Sequence, residues 1–217
     1  MNEAFRTEPK NGLIGVGYYE ESPSNPQKDW DEFGEILYLE RSRYVLGGRG
    51  VSNEEMRETA ENPENIVLPV YAYVHGGATI STGAFSCQWD SGQSGIVWIS
   101  KADALKEHGW KILTAKRREK VLEMLRGTVK TFDMYLTGEV YDLRIVRLDE
   151  DGEPDNSDIV DSVGDYFGHE GAEEELQRML DAEVKREEDA AAKEAARVEA
   201  EADAKQERFE FARGASD

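Results

Sequence analysis

The chain has 217 residues, 39% hydrophobic and 33% charged, and its 46 acidic residues against 26 basic ones give a formal net charge of −20. That length suits one domain of ordinary size with an appendage, and so acidic a surface opposes both general nucleic-acid binding and acidic membranes. One cysteine excludes an intramolecular disulfide.

The opening residues, "MNEAFRTEPKNGLIGVGYYEE", lack the basic start and apolar run of a secretory signal. The longest apolar run, Ile66 to Val74, falls far short of the roughly 20 residues that span a bilayer. A cytoplasmic protein without a membrane span is expected. The charge is uneven: residues 1–100 sum to −8, 101–130 to +5, 131–170 to −10 and 171–217 to −7, so a basic island lies between acidic segments.

In chain order, "GLIGVGYY" from Gly12 to Tyr19 predicts a strand, and "EESPSNPQKDWDE", with its two prolines, a loop. "FGEILYLERSRYVLGG" predicts a second strand that ends in a turn at Gly47 and Gly48. Ser52 and Glu55 have capping-box spacing and open a short exposed helix that covers rather than builds the core. The runs Ile66 to Val74 and Gly95 to Ser100 favour β structure and are expected as central strands joined by a glycine-rich connection. Pro69 donates no ladder hydrogen bond, which calls for an edge or a bulge.

Ser100 and Asp103 cap a second short helix that stops at Gly109. The clearest helix follows from Thr114: Val121, Leu122, Leu125, Val129, Phe132 and Leu136 recur at three- and four-residue steps up to Gly138. "EVYDLRIVRL" alternates as a half-buried strand, "DEDGEPDNSD" supplies turn chemistry, and "IVDSVGDYFG" closes a hairpin. The expected fold is α+β, a mostly antiparallel sheet with one amphipathic helix packed on it, over residues 1–170.

Residues 171–217 form an acidic, Ala/Glu-rich helical tail. Glu174/Arg178, Asp181/Lys185, Asp189/Lys193 and Glu201/Lys205 stand at i,i+4 spacing in the favourable order. Only Leu176, Met179, Leu180 and Val184 give it an apolar seam, too little for a coiled coil.

"DWDEFGEILYLERSRYVLGG", "LPVYAYVHGGATIST", "FSCQWDSGQSGIVWIS", "YLTGEVYDLRI" and "VDSVGDYFG", in this order, resemble an uncharacterised family of bacteriophage and prophage proteins. The likeness covers about Val16 to Gly171. Phe85, Cys87, Trp89 to Gln93 and Gly95 carry its most specific motif, with Gln88 where a proline is usual, and Val163 and Gly164 stand where the family tends to carry Cys-Trp. The resemblance implies a phage origin and a setting inside the host cell, and brings no activity with it.

Cys87, His75 and Asp90 have the residue types of an activated thiol nucleophile, but no protease signature surrounds them, and a lone cysteine is more often a small packed hydrophobe. The expected role of Asp90, Ser91, Gly92 and Gln93 is an Asx turn, and that of Cys87 and of Trp30, Trp89, Trp98 and Trp110 is packing. No Cys or His pair has zinc-ligand spacing. A calcium loop starting at Asp149 would put Val160 where the twelfth-position glutamate belongs. Gly12, Gly15 and Gly17 match no phosphate-loop pattern, so nucleotide binding has no support; neither a metal nor a cofactor is expected.

Lys111, Lys116, Arg117, Arg118, Lys120, Arg126 and Lys130 are expected as a solvated face that pairs with the chain's own carboxylates. Asp149, Glu150, Asp151, Glu153, Asp155 and Asp158 form the expected binding surface, held by a short turn. The leading reading is a non-enzymatic phage accessory protein that binds a host protein, a nucleic-acid enzyme among the candidates, its carboxylates standing in for DNA phosphates. The alternatives are a cysteine-dependent hydrolase or carboxylate-metal nuclease, and a virion or assembly component that uses the tail.

Overall fold

The computed structural model describes residues 2–40, 49–87 and 89–214. The turn expected at Gly47 and Gly48, the motif position Gln88 and the last three residues of the tail lie outside them. The fold is α+β with mainly antiparallel strand pairing. Its strands are β1 (Glu3–Arg6), β2 (Leu13–Tyr19), β3 (Glu35–Leu39), β4 (Arg49–Val51), β5 (Asn65–Val74), β6 (Ala78–Ser81), β7 (Ser91–Ser100), β8 (Val140–Leu148) and β9 (Pro154–Phe167). Its helices are α1 (Pro26–Asp29), α2 (Asn53–Glu61), α3 (Lys101–Glu107), α4 (Ala115–Thr137) and α5 (His169–Gly214). By contacts the chain forms two compact units: 19–141 with 165–169, and 2–18 with 142–164 and 170–217.

The first unit is built on a five-stranded sheet in the order β4-β3-β7-β5-β6, antiparallel except for the β3–β4 pair. Alternation along the strands gives each face its own partner. Ile36, Tyr38, Ile66, Val70, Ala72, Val97 and Ile99 form one core with Val121, Leu125, Val129 and Phe132 of α4. Leu37, Val51 and Ile96 face the other way, where Met56 of α2 packs on them.

The helices begin where local chemistry says they should. Ser52 Oγ accepts the Glu55 amide at 3.2 Å, Ser100 Oγ the Asp103 amide at 3.0 Å, and Thr114 Oγ1 the Arg117 amide at 3.3 Å. Gly138 ends α4 at φ 78°, in the left-handed region.

Three local expectations change. The stretch read as a loop holds the single turn α1, with Pro26 at its start and the Asn25 side chain accepting the Gln27 amide at 3.0 Å. The glycine-rich connection contains the four-residue strand β6, paired with Tyr71–Val74 of β5. Ser91, Gly92 and Gln93 are not an Asx turn: they pair with Tyr73, Ala72 and Tyr71 inside β7.

The constraint read from Pro69 is met. β6 leaves the first half of β5 as an edge, and one step beyond Pro69 the register shifts, because Val70 pairs with Gly95 and Tyr71 with Gln93. Ser94 is the extra residue of that bulge. It is fully buried, and its hydroxyl donates to the Val70 carbonyl at 3.3 Å.

The second unit holds most of a four-stranded sheet in the order β1-β2-β8-β9. Its strands come from both ends of the segment before α5, so no local pattern announces it. The first turns of α5 belong to this core. Ala172, Leu176, Met179 and Leu180 are buried, and Leu176 lies over Gly15, where a Cβ would meet its Cγ at 2.8 Å. Lys10–Asp181 at 2.5 Å, Arg147–Glu187 at 2.6 Å and Asn11–Glu188 at 3.1 Å tie the helix further.

Composition alone divides the chain at residue 171, but the helix up to about Glu188 is integral to this unit. Residues 188–205 of it are exposed. The ion pairs described along α5 are mostly i,i+3, Glu175–Arg178, Glu183–Arg186 and Glu194–Arg197, with Arg197–Glu201 at i,i+4.

Candidate functional site

The residues singled out as a nucleophile constellation do come together. β5 delivers His75 just past its end, and the Val74 amide donates to the Asp90 carbonyl at 2.9 Å, which brings the approach to β7 alongside. One carboxylate oxygen, Asp90 Oδ2, then stands 3.4 Å from His75 Nδ1 and 3.9 Å from Cys87 Sγ.

The order matters chemically. Thiol activation needs an imidazole next to the sulfur, with the carboxylate behind it. Here the carboxylate, not the imidazole, is the described partner of the sulfur. His75 is 72% exposed along its side chain and stacks on Tyr73 at 6.2 Å. The arrangement is a polar clasp between two chain segments.

Packing expectations for this stretch are corrected in part. Trp98 packs on the α2 side of the sheet and donates from Nε1 to Glu35 at 3.2 Å, and Trp110 packs at the edge of the α4 core. Trp30 is 41% exposed and meets the Phe167 ring edge-on at 4.8 Å. Trp89 is 86% exposed and so fills no core, and Cys87 is only half-buried. Both sit on the loop before β7 rather than in the strand, which is why the buried-hydrophobe expectation fails.

The hairpin carboxylates divide by role. Asp149 accepts the amides of Asp151 and Glu153, each at 2.9 Å, and so builds the turn. Glu153 pairs with Arg6 at 3.3 Å and Asp158 with Arg147 at 3.6 Å. Asp155 binds the Ser157 hydroxyl and amide, which hold its carboxyl below the usual range. Among the described residues Glu150 and Asp151 have no side-chain partner. Asp155 and Asp158 lie on β9 rather than in the turn, because the strand starts at Pro154. The array is thus spread along a turn and an edge strand.

A cleft of about 410 Å³ in the first unit was not legible from sequence. Asp31, Glu32, Glu35, Asp103 and Glu107 ring it, and Phe33, Trp98 and Met124 form apolar walls. Burial pushes the Glu32 carboxyl up, against the Thr128 hydrogen bond that lowers it. Glu35 is taken by Arg49 at 2.7 Å and by Trp98, and Asp103 by the Ser100 hydroxyl at 2.6 Å. Its parts come from residues 31–35, 98–107 and 124, so only knowledge of the β3–β7 pairing, Glu35 opposite Trp98, could have assembled it.

Within the basic island Arg117 and Lys120 lie over the Trp110 ring at 5.1 and 5.7 Å, and His108 stacks on the same ring at 4.2 Å. Arg126–Glu119 at 3.2 Å is the island's described ion pair. Among the described residues no group of three His, Cys, Asp or Glu side chains could hold a metal ion, and no helix is long and apolar enough to cross a membrane. The chain matches no family model, no curated protein and no solved structure.

Proposed function

We propose that this is a non-enzymatic accessory protein of phage or prophage origin that works in the host cytoplasm by binding a host protein with a basic groove, such as a nucleic-acid enzyme, its carboxylates standing in for phosphates. The observation that carries this reading is where the charge lies. The 88 residues of the second unit hold 26 acidic and 12 basic side chains, a net of −14, whereas the 129 of the first hold 20 and 14, a net of −6. Fixed carboxylates of one sign raise the encounter rate with a basic partner and disfavour acidic ones. A hydrolase reading is less favoured because Asp90, not His75, adjoins Cys87.

The test is capture from host lysate at low salt, then kinetics with duplex DNA as competitor. Changing Glu150, Asp151, Glu153, Asp155 and Asp158 to amides spares the turn-building Asp149. That variant should associate more slowly than one with Asp189, Glu194, Glu199, Glu201 and Asp203 changed, and binding should fall steeply between about 0.05 and 0.2 M salt. A captured partner indifferent to salt, to DNA and to both variants would sink the proposal.

A further inference from the structure

The geometry points to a binding groove for a small phosphomonoester between α4 and the edge strand β6, built from Arg126 and Lys130 on one wall and the hydroxyl-bearing residues Ser81 and Thr82 on the other. The groove measures about 290 Å³, and Phe85 of the glycine-rich motif stretch stands at its rim. It lies within the first unit.

Its walls are held apart by a fixed tie. Asp133 Oδ1 accepts both the Thr79 hydroxyl and the Ile80 amide at 2.7 Å, which fastens α4 to the sheet edge and engages one oxygen of the carboxylate that lines the groove. Val129 and Ile80, 1% and 3% exposed, seal the floor. The Thr79 proton is spent on Asp133, which leaves Ser81, Thr82, Arg126 and Lys130 as the groove's available donors. Lys130 has no ion pair and Thr82 no side-chain hydrogen bond among the described residues, and Arg126 gives one of its five N–H groups to Glu119.

Two cations one helical turn apart, opposite hydroxyl donors, match the three acceptor oxygens of a phosphate. Phe85, which lines the groove and lies 5.8 Å from Tyr73, would supply apolar contact for the ester group. A polyanion is opposed by the net charge of −20, which selects a small ligand over nucleic acid.

The experiment titrates the ¹⁵N-labelled full chain with phenyl phosphate, inorganic phosphate and benzoate. Phenyl phosphate should give saturable amide shifts confined to Thr79–Phe85 and Arg126–Asp133. It should bind about tenfold more tightly than either of the other two, the worth of one charge-assisted hydrogen bond or of a buried ring face. Lys130→Gln and Thr82→Val should each weaken it by about that factor or more, and Lys116→Gln on the same helix should leave it unchanged. No saturable shift, equal binding of benzoate, equal binding of inorganic phosphate, or an equal effect of Lys116→Gln would overturn the assignment.

Discussion

Gly95→Ala tests the way the first unit is closed. β7 runs between β3 and β5, and at Gly95 it faces Tyr38 on one side and Val70, next to the bulge, on the other. A Cβ there would lie 2.0 Å from the Leu37 carbonyl oxygen and 3.0 Å from its carbon, where ordinary contact begins at 3.4 Å. The obstacle is backbone, so no rotamer relieves it, and β3 must move by more than about 1 Å or give up ladder hydrogen bonds.

Overpacking at its upper range together with one or two weakened bonds costs about 3 kcal/mol, or roughly 6 to 12 °C in the midpoint for a chain of this size. Gly15→Ala is the matched control. Its Cβ would meet the Leu176 side chain at 2.8 Å and Thr7 Cγ2 at 3.1 Å, atoms that can yield, so about 1 kcal/mol is expected. All four tryptophans lie in the first unit, so tryptophan fluorescence during heating reads Gly95→Ala directly, while far-UV circular dichroism follows α5 for Gly15→Ala. A Gly95→Ala midpoint within about 2 °C of wild type, or a loss smaller than that of Gly15→Ala, would refute the close-approach argument.

Ending the chain after Asp189 keeps the buried turns of α5 and its ties to Lys10, Asn11 and Arg147. The midpoint should then move by no more than about 2 °C, and a drop of about 10 °C or more would show that the distal helix packs. Glu32→Gln tests the acidic cleft. Because burial raises the Glu32 carboxyl, the folded state binds more protons than the unfolded one just above the usual carboxylate range, and stability contributed by the neutral form is lost as pH rises through the raised value. The variant should therefore resist urea better than wild type at about pH 7 and equally at about pH 4; a gain at both, or at neither, would contradict that sign.

What the sequence discloses here is what depends on neighbours. Ser52, Ser100 and Thr114 name helix starts because a cap is a contact over three residues, and the Val121 to Phe132 stripe names the buried face of α4 because its period is its own. Pro69 implied an edge or bulge through its missing N–H, and both occur. The strand β6 escaped because four residues with one buried side chain, Ile80, leave no period to read. Residue type points Trp89 and Cys87 to packing, yet the loop that carries them leaves Trp89 exposed and Cys87 half-buried. The second unit was invisible for a different reason: β1 and β2 meet β8 and β9 across more than a hundred residues. Leu176 reveals its role only once Gly15 is seen beneath it.

The distribution of charge bears on whether acidity serves binding or only keeps the protein dispersed. Dispersal needs charge over the whole surface, and salt-adapted proteins carry it so. Here the net negative charge per residue is roughly threefold higher in the second unit than in the first. Seven cations of that unit are engaged: Arg6 pairs with Glu3 and Glu153, Lys10 and Arg147 tie α5, Arg144 sits on Asp142 and the Tyr18 ring, and Arg178, Arg186 and Arg197 answer glutamates on their own helix. The turn after β8 is left with Glu150 and Asp151 facing water, and β9 carries Asp155 and Asp161 beyond them. An edge strand that must avoid pairing with other chains needs charge, but lysine would serve as well. Carboxylates in place of lysines, on the unit that already has the excess, concentrate one sign where a basic partner would find it.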